Sequence, residues 1–167
     1  AAALTGRKDF AETAWGLHAY VARDLRSEGR LYYAAEDADS ARPDGTMHEG
    51  AFYVWTPEEL TEVLGEVDGA LVARLFNVLS EGNFEDEATR RRTGESILHL
   101  TAPLRDLAPA DEEADAFSFR VRDLLEGLRN NREARPRPLR DEKILSDWNG
   151  FYLAAMARAS SAPPAHF

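Results

Sequence analysis

Two segments that lie far apart in the chain contain residue types able to perform acid–base chemistry and to stack on a ligand. The first is the acidic run at residues 36–40 (EDADS), and the second, residues 140–150, contains Asp141, Trp148 and Asn149. Carboxylates can donate and accept protons when their environments separate their pKa values, and tryptophan rings can form the stacking walls of a pocket. We therefore expect the two segments to form a polar pocket with aromatic walls.

The composition limits the classes of partner and cofactor. The 167 residues carry 30 acidic and 20 basic side chains, and the formal charge of −10 makes binding to nucleic acid or an anionic membrane unfavourable. Without cysteine the chain has no disulfide, thiol nucleophile or zinc–thiolate site, and we predict no cofactor. Because neither a signal segment nor a membrane-spanning apolar run is visible, we expect a soluble, cytoplasmic protein with one domain over residues 1–167.

The acidic residues near the first segment match a metal-binding pattern only in part. Asp37, Asp39 and Asp44 have part of the spacing of a calcium loop, but Ala41 and Arg42 stand where that loop needs an oxygen ligand and a glycine. The sequence therefore predicts no metal site.

Local signals predict that the elements which position these residues are mostly helices. The first helix has an apolar face, and Gly29 is predicted to end it in the left-handed conformation; the face contains Phe10, Ala14, Leu17, His18, Val21 and Leu25. A capping box and an N1 proline predict a second helix from Pro57 to about Leu64 that ends at Gly65. Further helices are predicted from Ala70 to about Val78, from near Asp111 to just before Pro136, and from an Asp147 cap to Ala162-Pro163-Pro164.

Strand signals predict one small hairpin. Aromatic and apolar residues favour strands at Leu31–Ala35 and Ala51–Trp55, joined through a long acidic loop and a turn at Arg42–Gly45. Gly82–Glu85 is predicted to form a structured turn, and Ser96–Leu100 a short strand.

Four ordered blocks carry a resemblance to a known family. They are Ala35-Glu36-Asp37-Ala38-Asp39-Ser40; Glu49-Gly50-Ala51-Phe52-Tyr53-Val54-Trp55; Gly82-Asn83-Phe84-Glu85 followed by Ile97-Leu98-His99; and Asp141-Glu142-Lys143-Ile144-Leu145 with Trp148-Asn149-Gly150. Over roughly Phe10 to Ala159 the chain resembles the YyaL family, the relatives of the spermatogenesis-associated thioredoxin-like protein. It departs from the family pattern at Arg30-Leu31, where a glycine pair is usual, at Glu142, and in a polar insertion at Asp86–Gly94.

The resemblance implies a mainly α fold. Family members are expected to combine a thioredoxin-like domain, which lies outside this chain, with an α/α toroid similar to the six-hairpin glycosidases and the N-acylglucosamine 2-epimerases. This chain would be a partial toroid that also carries the small β-hairpin. The redox dithiol of the family would belong to the thioredoxin-like domain, so no redox role is carried onto a residue of this chain.

The residue types fit carbohydrate chemistry. Hydrolysis or epimerisation of a sugar needs a proton donor and an acceptor on opposite sides of the reacting carbon, and the candidates are Glu36, Asp37, Asp39 and Asp141. The candidate substrate-binding residues are Tyr53, Trp55 and Trp148, which could stack on a sugar ring, and His99, Lys143 and Asn149, which could provide polar contacts.

Structural roles compete with each of these assignments. The acidic run is also typical of turns and caps, the two tryptophans of a core, and Lys143 of an ion pair with Asp141. Two functions therefore stay open: a domain that binds or processes a carbohydrate, and a non-catalytic helical scaffold for the thioredoxin-like domain. Exposed apolar helix faces of a partial toroid would also favour self-association.

Overall fold

The computed structural model describes residues 2–87 and 89–160. These residues form two compact units: one contains the described residues up to Asp37 and from Leu139 onward, and the other is Ala38–Pro138. In chain order the elements are α1 (Ala2–Thr5), α2 (Lys8–Asp24), β1 (Ala35–Glu36), β2 (Asp39–Ala41), β3 (Met47–Glu49), α3 (Pro57–Leu75), a 3-10 turn (Leu104–Asp106), α4 (Ala114–Arg132), β4 (Arg140–Asp141) and α5 (Ser146–Ala159). The described residues are mainly helical and include one small hairpin, as predicted, together with a second two-stranded sheet that was not predicted.

Helix α3 begins with the predicted capping box. The Thr56 hydroxyl accepts from the Glu59 N–H at 3.2 Å, and the Glu59 carboxylate accepts from the Thr56 N–H at 2.9 Å. Gly65 breaks the helical conformation with φ of 80°, as expected, but the chain re-enters the helix before Asp68. The helix predicted from Ala70 to about Val78 is therefore the second half of α3, which ends at Leu75. Gly69 is buried where a Cβ would lie 3.0 Å from the Leu60 backbone, so this glycine permits close packing of the two halves of α3.

Helix α4 packs against α3 and forms the core of the second unit. It starts at Ala114, three residues after the predicted position, because the Glu113 carboxylate caps it by accepting from two backbone N–H groups. It ends before Pro136, as predicted. Its buried residues join those of α3 in one cluster that includes Trp55, Leu60, Val72, Leu75, Phe117, Val121 and Leu128.

The predicted strands are wrong in position. The hairpin is formed by β2 and β3 around the predicted Arg42–Gly45 turn, so the expected acidic loop contributes a strand. β1 pairs instead with β4. The Ala51–Trp55 segment is largely buried but contributes only one bridge, between Trp55 and Ser96, so Ser96–Leu100 is not a regular strand. Aromatic richness here reflects burial rather than strand pairing.

The first unit also departs from the predicted helix ends. Helix α2 stops at Asp24, and the left-handed residue of the following turn is Arg30, with φ of 65°, rather than Gly29. Helix α5 has Leu145 as its N-cap, so Asp147 lies inside the first turn. The predicted stop at Ala162–Pro164 lies outside the described residues. In the part of the chain that the structure describes, no helix combines the length and hydropathy needed to cross a membrane.

Candidate functional site

Two of the candidate carboxylates lie on the β1–β4 ladder of the first unit. Ala35 is opposite Asp141, and Glu36 is opposite Arg140. Side chains alternate between the faces of a strand, so Glu36 and Asp141 project to opposite faces of this ladder. The Tyr20 hydroxyl donates to the Glu36 carboxylate at 2.7 Å. This pair of carboxylates therefore does not converge on one reacting atom.

Asp141 forms a local ion pair. The Lys143 ammonium donates to its carboxylate at 3.1 Å, and the Lys143 backbone N–H donates at 3.2 Å. These bonds lower the pKa of Asp141, the side-chain bond contributing most. The structure thus contains the ion pair with Asp141 that was the structural alternative to a substrate-binding role for Lys143.

Asn149 clamps the start of α5 to the preceding loop. Its Oδ1 accepts from the Tyr32 N–H at 2.8 Å, while its Nδ2 donates to the Tyr32 carbonyl at 2.9 Å and the Leu145 carbonyl at 3.0 Å. The side chain is buried with these bonds made, so it is committed to structure. Trp148 beside it is 53% exposed.

Asp37, another candidate carboxylate, directly follows β1. Its backbone N–H donates to the Leu139 carbonyl at 2.7 Å, and the residue is exposed.

An aromatic cluster supports the same helix. The Tyr152 hydroxyl and His18 Nδ1 are 2.6 Å apart, and the Tyr152 ring meets the Tyr32 ring edge-on at 4.5 Å. Burial, followed by the neighbouring Tyr32, raises the pKa of Tyr152. His18 is therefore a half-buried histidine with a partner, as its position on an apolar helix face indicates.

Asp39, in the second unit, lies directly opposite Glu49 in the β2–β3 hairpin. Directly opposed side chains of an antiparallel pair have Cβ atoms about 5 Å apart, so the two carboxylates are close neighbours. Asp39 is exposed at the edge of the hairpin. In the sequence, Glu49 is marked only as the first residue of a family block.

Trp55 is a core residue, which corrects its assignment to a pocket wall. It is only 2% exposed, and the Arg135 guanidinium covers its ring at 4.2 Å. Arg135 also donates to the Val54 carbonyl at 2.6 Å and to Glu59 at 2.9 Å. Glu59 therefore serves both the capping box and this ion pair, and Trp55 has no face open to a ligand.

His99 holds a loop through both ring nitrogens. Its Nδ1 lies 3.1 Å from the Ile97 carbonyl, and its Nε2 lies 3.2 Å from the side-chain amide of Asn77. Asn83 Nδ2 also lies 3.5 Å from His99 Nδ1. Asn83 fixes the same loop by bonding both backbone groups of Ile97 at 2.8 Å. His99 is thus bonded to Ile97 and to the segment that follows α3.

A cavity of about 650 Å³ opens beside the hairpin in the second unit. The lining residues come from β3 and the following turn, from the 84–89 loop and from the 97 position; they are Met47, His48, Glu49, Gly50, Tyr53, Val54, Phe84, Glu85, Asp86, Glu87, Thr89 and Ile97. Tyr53, which is 39% exposed, is the sequence-predicted site residue among them. Two aromatic rings and several carboxylates therefore share one recess.

The sequence held signals for part of this lining. Glu49, Phe84, Glu85 and Ile97 belong to the quoted family blocks, whereas Asp86–Gly94 was recognised only as a polar insertion. Among the described residues, no group of three or more His, Cys, Asp or Glu side chains is placed to hold a metal ion. The chemistry that this recess can provide is hydrogen bonding, charge and aromatic stacking.

Comparisons with known proteins identify the relatives of this chain. No protein-family model matches it. Human spermatogenesis-associated protein 20 is 31% identical over 168 residues, which are 92% of this chain and 21% of that protein. The rat protein of the same name is 30% identical over 172 residues, 95% of this chain and 22% of its own length. This chain is a homologue of spermatogenesis-associated protein 20.

The family resemblance predicted from the four blocks is therefore confirmed. An uncharacterised protein of Caenorhabditis elegans is also similar, at 30% identity over 161 residues, 87% of this chain and 21% of that protein. The chain spans about a fifth of the length of the spermatogenesis-associated proteins 20 that it matches. The alignment with the rat protein covers nearly the whole chain. It therefore includes the cavity residues and the two asparagines, Asn83 and Asn149, that bond the backbones of Ile97 and Tyr32.

Proposed function

We propose that this member of the spermatogenesis-associated protein 20 family binds a carbohydrate in the cavity beside Tyr53 and Phe84. The observation that carries the proposal is the combination of aromatic rings and carboxylates in one recess of about 650 Å³. Small-molecule sites typically have volumes of about 300–1,000 Å³. A sugar can place its apolar face on an aromatic ring while its hydroxyls donate to carboxylates.

The walls of the cavity are anchored by contacts outside it. The buried Ser40 hydroxyl accepts from the Phe52 N–H at 2.8 Å, which fixes the turn that presents Tyr53. Arg42 pairs with Glu95 at 2.6 Å and so ties the hairpin turn to the segment before Ile97. Such anchoring favours binding because fewer groups must be ordered when a ligand enters.

The carboxylates of the cavity support binding rather than a defined reaction. Glu49 and Glu85 line the recess and are exposed, so each can accept hydrogen bonds from sugar hydroxyls. Of the four carboxylates expected from the sequence, none lines the cavity, although Asp39 faces Glu49 across the hairpin. The proposal therefore assigns recognition to this site and no catalytic step.

A thermal-shift screen of the full-length protein tests the proposal. Neutral, amino and acidic monosaccharides and short oligosaccharides are compared for the parent, Tyr53→Ala, and Phe119→Ala, which removes an exposed aromatic ring of α4 outside the cavity. A ligand that binds the native state raises the melting temperature by mass action. We expect one sugar class to stabilise the parent and Phe119→Ala but not Tyr53→Ala. Absence of stabilisation across the panel, or equal loss in both variants, contradicts the proposal.

A second candidate, the helical scaffold, is favoured by the surface of α5. Trp148 and Phe151 are 53% and 74% exposed, and their spacing of three places them on the same side of the helix. We propose that the thioredoxin-like domain covers this side in the full-length protein. Phe151→Asp should then destabilise the full-length protein by about 1–3 kcal/mol, whereas an effect below about 0.5 kcal/mol in urea unfolding would mean that the residue faces solvent.

A further inference from the structure

We infer that the cavity prefers a sugar that carries a positively charged amino group. The inference rests on the proposed carbohydrate site and names its ligand class. Four lining residues are acidic: Glu49, Glu85, Asp86 and Glu87. No lysine or arginine is present among the described lining residues, and His48 is their only basic side chain.

The arginines of the neighbouring segments are not among the described lining residues. Arg42 is committed to Glu95 at 2.6 Å, and Arg92 lies 3.6 Å from Glu81 while also donating to the Gly82 carbonyl at 3.3 Å. The backbones of Arg90 and Arg91 are hydrogen-bonded to the backbone of Asp86, and their side chains are not part of the lining. The recess therefore presents an excess of carboxylates to a ligand.

The carboxylates differ in what they can offer. One oxygen of Asp86 accepts from both the N–H and the hydroxyl of Thr89 at 2.7 Å, so this carboxylate shapes the loop. Glu49, Glu85 and Glu87 are exposed at the recess and provide the negative potential at its mouth. A recess with charges of one sign concentrates the potential and strengthens attraction for a ligand of the opposite sign.

The aromatic walls favour the same ligand. The faces of Tyr53 and Phe84 can attract an ammonium group as well as stack on a sugar ring. A neutral sugar would use the hydrogen bonds and the stacking alone, and an acidic sugar would be repelled. An amino sugar uses all three interactions, so charge sets the order of affinity.

Isothermal titration calorimetry of the full-length protein with matched sugars tests the inference. The panel contains glucosamine, its neutral N-acetyl derivative, glucose and glucuronate, at a pH of about 7, where glucosamine carries substantial positive charge. We expect glucosamine to bind about tenfold or more tightly than the neutral sugars and glucuronate most weakly, with a preference that shrinks as salt is added. The double variant Glu49→Gln with Glu85→Gln should reduce the preference, and the exposed Glu66→Gln of α3 should retain it.

The outcomes separate the two proposals. Equal affinity for glucosamine and glucose overturns the charge preference but leaves the carbohydrate site in place. Binding of an amine without a sugar ring, such as cyclohexylamine, as tightly as glucosamine overturns the carbohydrate site and keeps the preference for cations. Absence of binding by every member of the panel overturns both. An unchanged preference in the double variant also overturns the inference, because it removes two of the carboxylates that carry it.

Discussion

Asn83 binds both backbone groups of Ile97, accepting from its N–H and donating to its carbonyl at 2.8 Å each. Asn149 does the same to Tyr32, at 2.8 and 2.9 Å. In each case one side-chain amide replaces the strand that would otherwise satisfy the residue's backbone. Both asparagines stand in the sequence blocks that carry the family resemblance, and both hold irregular segments in place.

Replacing Asn149 should destabilise the first unit. Asn149→Asp keeps an acceptor for the Tyr32 N–H but places a negative oxygen against the Tyr32 and Leu145 carbonyls. Leaving buried backbone groups without partners costs about 1–3 kcal/mol, and repulsion adds to this cost. Urea unfolding measures the loss. Ser146→Ala, an exposed substitution in the same helical turn, should change stability by less than about 0.5 kcal/mol, and a similar effect of both would contradict the clamp.

Replacing Asn83 should affect the cavity as well as stability. The Asn83 side chain also donates to the Asn77 carbonyl at 2.9 Å, so Asn83→Ala releases three backbone contacts and the Ile97 wall. We expect a loss of about 1–3 kcal/mol in unfolding free energy, together with weaker binding of the sugar that stabilises the parent. Unchanged binding in a destabilised Asn83→Ala would show that Ile97 does not need this anchor.

Local chemistry made some features of the fold predictable. The capping box depends on Thr56 and Glu59, which are three residues apart, and the helix break depends on Gly65 alone. Both features are present in the structure. Strand pairing was not predictable in this way because the partner of Ala35 is Asp141, far along the chain. The aromatic run that contains Trp55 indicated a strand, but burial under Arg135 explains its composition equally well.

The candidate site was predicted only in part. Tyr53 lines the cavity, and its stacking role stays a prediction, whereas Asn149 and Trp55 are buried and make contacts within the protein. Glu85 and Phe84 were visible in a sequence block, but no periodic pattern marks a recess formed where a hairpin and a loop meet. A sequence shows which residue types are present; which of them share a recess depends on tertiary packing.

A comparison of two glycines with similar φ can distinguish the cost of a left-handed backbone from the cost of a steric clash. Gly82 and Gly45 have φ of 85° and 83°, but an added Cβ at Gly82 would lie 2.5 Å from the Glu95 carbonyl, and one at Gly45 would meet nothing within 4 Å. Gly45→Ala should cost about 1–2 kcal/mol from the left-handed conformation alone. Gly82→Ala should cost clearly more in chemical unfolding, and equal costs would contradict the close approach of the two segments beside the cavity.

Acid should weaken the hairpin turn through Asp44. The Thr46 hydroxyl, followed by its backbone N–H, bonds the Asp44 carboxylate and lowers the pKa of that group. A carboxyl whose pKa is lowered on folding stabilises the native state above its unfolded pKa, and this contribution disappears as the pH falls through the folded value. An NMR pH titration should find Asp44 below the ordinary range of aspartates, and Thr46→Val should raise its pKa. An ordinary pKa for Asp44 would contradict these bonds.

The most direct test of the carbohydrate site is an NMR titration of the isotope-labelled protein with the sugar that stabilises it best. We predict saturable shifts of the backbone amides of Gly50, Thr89 and Ile97, which line the cavity, while the amides of α4, which contributes no lining residue, keep their positions. The same titration of Tyr53→Ala should show much weaker shifts. Shifts confined to other parts of the chain, or no saturable shift at these three amides, would contradict carbohydrate binding in this cavity.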